Sequence, residues 1–231
     1  MIIGTGLIAR ALLRYEELLD GVFIHAAGVS NSSCNDETEY ARDRLRLLNS
    51  VAIADPAAAF IYISTCSVDD PASQTSRYVR HKRELEQIAQ QHRAGSSVIV
   101  RLPQVAGATP NPHTILNFLY ARIARSERFD LWRQATRNVI DADDVGRILT
   151  DMVVNERIRS GILNIANPLN SSVLEIVSEF EKITNRRAIC TVLDKGGDQI
   201  IDTTRIGASI QRCGIAFGSA YLHRTLEKYY A

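Results

Sequence analysis

Residues 59–67 read Ala-Phe-Ile-Tyr-Ile-Ser-Thr-Cys-Ser, and Tyr78 and Lys82 follow within the next fifteen positions. The run from Ala59 to Ser64 is unbroken, apolar and of strand length. That is how a strand buried on both faces of a parallel sheet reads. It ends in hydroxyls, at Ser64, Thr65 and Ser67. Residues 75–91 then carry a helical pattern, and a helix places positions four apart on one face. The Lys82 ammonium is thereby expected beside the Tyr78 phenol, where positive charge favours phenolate and lowers a tyrosine pKa from about 10. A phenol tuned in that way passes a proton to or from an alcohol oxygen near neutral pH. The Thr65 hydroxyl is placed to hold the same oxygen. An ordinary surface helix with a solvated lysine has the same spacing, so the preceding hydroxyl-ended strand is what gives the pair weight.

Working outward, Met1 to Ile3 reads as the end of a strand, Gly4-Thr5-Gly6 as a turn and Leu7 to Leu19 as a helix. Val22 to Ala27 is a second apolar run, followed by Gly28 and a polar loop. A helix is expected over 37–54, with Leu45, Leu48 and Val51 on one side, and a strand over Ser97 to Leu102. Beyond Pro103 come helices near 114–125, 143–154, 173–184, 204–213 and 220–230. Short strands are expected near 138–140, 162–165 and 188–193. Ser171 or Ser172 is a natural N-cap. Strands alternating with helices argue for an α/β, doubly wound parallel sheet with helices on both faces. The chain divides into a core over 1–108 and a mixed region over 109–231 that completes the sheet.

Composition narrows the function. A length of 231 residues suits one domain with at most a small appendage. A formal charge of +1 gives no footprint for nucleic acid or an acidic membrane. The apolar start is too short and too glycine-interrupted for a membrane span, and it lacks the basic flank of a secretory signal. Cys34, Cys66, Cys190 and Cys213 are scattered, which suits reduced thiols in a cytosol. The five histidines are dispersed, with no metal-ligand spacing.

Five stretches appear in a familiar order: GTGLIARAL, VFIHAAGVS, FIYISTCSV, Tyr78-x-x-x-Lys82, and RNVIDADDVGRIL from Arg137 to Leu149. Together they resemble the extended short-chain dehydrogenase/reductases, in their nucleotide-sugar epimerase, dehydratase and reductase group. GILNIANPLNSSVLEIVSEF and DTTRIGASIQRCGI extend the likeness over nearly the whole chain. The resemblance implies a Rossmann-like fold, NAD or NADP as cofactor, a nucleotide-sugar substrate and a homodimer joined through helices 37–54 and 75–91. It implies a catalytic set of Thr65, Tyr78 and Lys82. On the cofactor side it implies Gly4, Gly6, Leu7, Ile8 and Ala9 at a pyrophosphate, then Ala26, Ala27, Gly28, Lys82 and Pro103. On the substrate side it implies Gln104, Asn111 and Arg137, whose guanidinium suits a diphosphate. Arg137 as a surface salt-bridge partner and Gln104 as a loop hydrogen bonder remain open alternatives. A dehydratase would need an acid–base pair where Cys66 and Ser67 stand, so reduction or epimerisation is favoured, in the assembly of bacterial surface polysaccharide.

One departure stands out. The family has about forty more residues between the glycine turn and the Ala-Ala strand, forming two strands that wall the adenosine. Here one helix spans Gly6 to Val22, and His25 ends the next strand instead of a ribose-binding acid. Two consequences are expected: a displaced first helix or an unusual first crossover, and weak dinucleotide affinity. Asp69-Asp70 replaces the family's Tyr-Gly, and Arg44 falls where the family has a helical Asn.

Overall fold

The computed structural model describes residues 1–231. In chain order the elements are β1 (Ile2–Ile3), α1 (Leu7–Leu13), β2 (Val22–His25), α2 (Glu37–Ile53), β3 (Ala59–Thr65), α3 (Arg77–His92) and β4 (Ser97–Leu102). There follow β5 (Gln104–Ala106), α4 (Ile115–Ala124), β6 (Phe129–Trp132), β7 (Thr136–Arg137), β8 (Val139–Asp141), α5 (Ala142–Val154) and β9 (Gly161–Asn164). The chain ends with β10 (Ser171–Ser172), α6 (Val173–Thr184), β11 (Cys190–Leu193), α7 (Gly207–Arg212) and α8 (Tyr221–Tyr230). No helix is long and apolar enough to cross a membrane.

The central sheet is parallel, in the order β1-β2-β3-β4-β9. Strand residues alternate between two cores, as a period of two requires. On one face Ile24, Ile61, Val98, Val100 and Leu163 pack with Leu12 of α1 and with Val145, Ile148 and Leu149 of α5. On the other, Phe23, Phe60, Tyr62 and Ile99 pack with Leu47 of α2 and Leu85 and Ile88 of α3. Both faces are covered, which is why these strands read as continuous apolar runs.

This arrangement fixes the hand of the first crossover. The connections β1-α1-β2, β2-α2-β3 and β3-α3-β4 all advance in one direction along the sheet. The first carries its helix on the α5 face and the other two on the opposite face. Successive crossovers in one direction with helices on opposite faces must have opposite hands. With the two that share a face following the general right-handed rule, the first is the left-handed exception. The two strands expected to be missing are missing, and β1 lies beside β2 at the sheet edge.

The tight first connection shortens its helix. A helix running on to Leu19 would be about 20 Å long, against about 13 Å for the four-residue β2 strand. Instead α1 stops at Leu13, and a single 3-10 turn over Glu16–Leu18 brings buried Leu19 back under the sheet. The closing helix is similarly broken, a 3-10 turn at Thr204–Ile206 preceding α7. The α2 stripe is also rotated from expectation. Tyr40, Asp43, Leu47 and Ser50 are the buried face, and Leu45 is exposed on the outer side.

The second half builds a smaller core from α4, α6, β6 and α8, centred on Leu116, Leu119, Ile123, Ile176, Phe180 and Leu226. Three two-stranded ladders join it: β5 with β8 and β6 with β11, both parallel, and β7 with β10 antiparallel. Asp141 anchors this half. It caps α5 through Asp143 N at 2.8 Å and accepts from Lys228 Nζ at 2.7 Å and from Tyr229 Oη at 2.6 Å. Its own backbone N–H donates to Tyr221 Oη at 2.9 Å.

Candidate active site

Because β1 to β4 are parallel and paired in order, their carboxyl ends line one edge of the sheet. That edge carries Gly4 and Gly6 after β1, Ala26, Ala27 and Gly28 after β2, Thr65 at the end of β3 and Pro103 after β4. The turn after β1 requires glycine at position 4. Its φ is +134°, and a Cβ there would stand 2.5 Å from the Ala26 carbonyl oxygen. At Gly6, which caps α1, the space ahead is open, with no atom within 4 Å of the Cβ position. Leu7 packs against Gly107, and Ala9 is fully buried.

Helix α3 lays Tyr78 and Lys82 over the end of β3. Both are buried, at 8% and 4% exposure. The Thr65 hydroxyl lies close enough to the Tyr78 phenol to pull its pKa down. Thr65 in turn binds Ser67, through its hydroxyl and its backbone N–H, each at 3.2 Å. Lys82 Nζ lies 3.6 Å from Asp43 Oδ2 and 3.4 Å from Tyr62 Oη. A Cβ on Gly28 would come within 3.0 Å of that nitrogen, so the lysine head group lies against the end of β2.

The electrostatics differ from the sequence expectation in one respect. Burial pushes the Tyr78 phenol well above the ordinary tyrosine range. The Thr65 hydroxyl works against this, and the Asp43 charge adds to it. Lys82 is not a lowering influence here, because its ammonium is turned toward Asp43 and Tyr62 and lies 5.8 Å from the Tyr78 ring centre. The expected lowering of the phenol by its neighbour is therefore corrected: the side chains meet, but the charge is already committed. Burial also pulls Lys82 below the usual lysine value, with Asp43 opposing.

Asp43 is the residue that the sequence reading missed. Arg44, read as the counterpart of the family's helical Asn, is exposed, whereas Asp43 is turned inward. Its carboxylate is fully buried and accepts from His81 Nε2 at 3.0 Å and Val29 N at 3.2 Å. Burial alone would raise it, yet His81, Lys82 and Val29 together hold it at about 2. The signal was present as an acid on the buried helix face, in register with Leu47 and Ser50 at i+4 and i+7.

On the substrate side, Gln104 lies within β5, opposite Val139, and is strand rather than loop. Arg137 lies in β7, half-buried, and donates to the Thr136 carbonyl at 2.6 Å. It makes no ion pair, which sets aside its reading as a salt-bridge partner. Burial pulls its pKa down and the charge of Asp70, in the loop beyond Thr65, opposes this. Asn111 donates to Ser30 Oγ, two residues beyond Gly28, at 3.0 Å and caps its own loop by accepting from His113 N. A contact invisible in the sequence closes the cleft from the far side. Gln199 Nε2 donates to the Cys66 carbonyl at 2.6 Å, and Asn170 holds the same loop through Asp198 and Gln199. Cys66 itself is buried, its thiol pushed up to about 12, so it is a packing residue.

Beneath the cleft, Arg101 of β4 binds Glu86 of α3 in a fork, at 2.9 and 2.6 Å, and reaches Asp69 at 2.6 Å. Ser64 donates to the same Glu86 at 2.5 Å. This network fixes α3 against the strand end that carries Thr65.

The model of the NAD dependent epimerase/dehydratase family matches residues 9–166. This chain belongs to that family. Among solved structures, UDP-N-acetylglucosamine 4-epimerase from Bacillus cereus superposes with a TM-score of 0.73 at 14% identity, covering 98% of this chain and 93% of that one. RMD from Pseudomonas aeruginosa, complexed with NADPH, gives 0.74 at 15% identity, covering 98% and 94%. UDP-glucuronic acid 4-epimerase from Bacillus cereus, in complex with UDP-glucuronic acid and NAD, gives 0.72 at 20% identity, covering 95% and 76%. These likenesses establish the Rossmann-like fold. A search of curated proteins finds no match.

For an NAD-dependent epimerase/dehydratase the cofactor is NAD or NADP, and the residues present fit one half of it. The open space before Gly6 and the grouping of Gly28, Thr65, Tyr78, Lys82 and Pro103 suit the pyrophosphate and the nicotinamide riboside. The adenosine half has no strand beyond β1 to lean on. The strand whose end would carry a ribose-binding acid is absent, and His25, at the end of β2, is fully buried and bonded to Ser50 at 2.8 Å.

Proposed function

We propose that this chain catalyses NAD(P)-dependent reduction or epimerisation of a nucleotide-activated sugar, a step in surface-polysaccharide assembly. The observation that carries the reading is the convergence of the Thr65 hydroxyl, the Tyr78 phenol and the Lys82 ammonium beside Gly28 at one sheet edge. The dinucleotide, when bound, supplies hydride acceptance and return at a sugar carbon. The chain's own groups do the proton work. Thr65 holds the reacting sugar oxygen, and Tyr78 gives or takes its proton. Lys82 lends positive charge beside Gly28, where the nicotinamide ribose would lie. Gln104 and the unpaired Arg137 face the substrate side, where a planar guanidinium suits a diphosphate. Gly4, Gly6, Leu7 and Ile8 would meet the pyrophosphate, and Ala26, Ala27 and Pro103 the nicotinamide half. Affinity is expected to be low, because the adenosine half lacks its wall.

A homodimer accompanies this reading. Between α2 and α3 runs a groove of about 600 Å³ lined by Tyr40, Leu45, Leu48, Arg44, Arg80 and Glu84, among others. It mixes apolar residues with both signs of charge, which suits pairing with its own copy about a two-fold axis. A second reading, a nucleotide-sugar-binding module without turnover, is favoured by the raised Tyr78 phenol. The test is consumption or formation of NAD(P)H absorbance with UDP-, GDP- and dTDP-sugars, comparing wild type with Tyr78→Phe. A fall of about 10²-fold or more is expected; equal behaviour of the two would favour the binding module.

A further inference from the structure

The charged groups behind Lys82 form a connected set that the catalytic reading does not use. Asp43 Oδ2 is shared by Lys82 Nζ at 3.6 Å and His81 Nε2 at 3.0 Å. Its other oxygen, Oδ1, is buried without a hydrogen-bond partner and lies 3.2 Å from where a Gly28 Cβ would be. His81, tilted against Tyr40 with ring centres 4.5 Å apart, lines the groove between α2 and α3. The three side chains thus run from the cleft, through the helix pair, to the outer helical face.

We propose that Asp43 is the positioning residue of this site. It holds Lys82 at the cleft edge as an ammonium, while the same carboxylate oxygen also meets His81 Nε2 from the groove side. The physical argument is desolvation. An ammonium removed from water loses several kcal/mol of solvation, and an unpaired one sheds its proton. The other groups near Lys82 do not supply the missing charge. Arg46 of α2 has the wrong sign, Tyr62 of β3 and Tyr78 of α3 are neutral phenols, and His25 of β2 is a neutral imidazole. Glu86 of α3 is already forked onto Arg101. Asp43 is the one free counter-charge. The proposal deepens the role given to Lys82 above, yet it can be read without turnover, so a chain that never reduced a sugar would leave it standing.

The chain has only four lysines, Lys82, Lys182, Lys195 and Lys228. Selective ¹³C-lysine labelling therefore gives a short, assignable set of Cε signals whose shift against pH reports each ammonium. In Asp43→Asn, shown to be folded by circular dichroism, the Lys82 proton affinity is expected to fall about tenfold or more, with the other three unchanged. Asp43→Glu, which restores the charge, is expected to recover most of it. A folded Asp43→Asn whose Lys82 titrates as in wild type overturns the proposal. Should that variant not fold, Lys82→Met reads the same coupling from the other side. The Asp43 carboxyl is then expected to take up its proton at higher pH than its wild-type value of about 2, followed by ¹³C carboxylate signals. An unchanged Asp43 titration overturns the proposal equally.

Discussion

His25 offers the most direct measurement of how this fold treats buried charge. The ring is fully buried in β2, with Nδ1 at 2.8 Å from Ser50 Oγ and Nε2 without any partner. Burial pulls its pKa from about 6.5 down to about 4, with Asp43 opposing and Lys82 assisting. The unfolded chain binds the proton near pH 6.5 and the folded chain only near pH 4, so between those values the unfolded state holds more protons. Stability from the neutral ring is complete above about pH 6.5 and is lost as pH falls toward about 4. A shift of about 2.5 pH units corresponds to about 3.4 kcal/mol in the limit, of which about 2.5 kcal/mol is lost by about pH 4.5. The perturbation is His25→Asn, which cannot titrate. Urea unfolding of wild type and variant, at about pH 7.5 and at about pH 4.5, gives a difference of differences in which other titrations largely cancel. The variant's deficit at neutral pH should shrink by about 2.5 kcal/mol in acid. If both proteins lose the same stability over that interval, the imidazole is not held neutral and the reasoning fails.

Three further outcomes follow from the same structure. Glu86→Ala leaves Arg101 buried with only the exposed Asp69 as partner, and should cost about 3–5 kcal/mol in urea unfolding; a loss under about 1 kcal/mol would mean the fork is not a structural bond. Gly28→Ala places a methyl 3.0 Å from Lys82 Nζ, so NAD(P)H affinity by fluorescence titration should fall about tenfold or more while the circular dichroism spectrum is retained; unchanged affinity would put the dinucleotide elsewhere. Leu45→Glu, at a position 58% exposed on the α2/α3 groove, should change monomer stability by no more than about 0.5 kcal/mol and shift sedimentation from dimer to monomer; an intact dimer would locate the contact on another face.

Most of the central sheet was legible because its strands are buried on both faces and therefore read as plain apolar runs. Residues 22–27, 59–64 and 97–102 fall on β2, β3 and β4 within a residue or two. The absent strands and the awkward first crossover followed from loop length alone. What was not legible was set by tertiary pairing. Gln104–Ala106 and Phe129–Trp132 are strands only because β8 and β11 pair with them, and two to four residues carry no period of their own. The α2 face was misjudged because Leu45 and Leu48 share a stripe that faces the outer groove, while a buried carboxylate sits on the inner side. The Tyr78–Lys82 pairing was read from helical spacing, and α3 carries both residues on its buried face. The direction of the Lys82 head group was not legible, since it depends on an acid thirty-nine positions earlier in the chain.

The anchoring of Asp141 bears on how the protein matures on the ribosome. Arg137 to Asp144 carries the guanidinium of the substrate side and the start of α5, yet it is clasped by Tyr221, Lys228 and Tyr229, all more than seventy-five positions later. At a synthesis rate of about 5–20 residues per second, the sheet edge bearing Thr65 and Tyr78 can assemble several seconds before that clasp emerges. A nascent chain arrested before Tyr221 would thus present Thr65, Tyr78 and Lys82 already in place beside an unsecured second half.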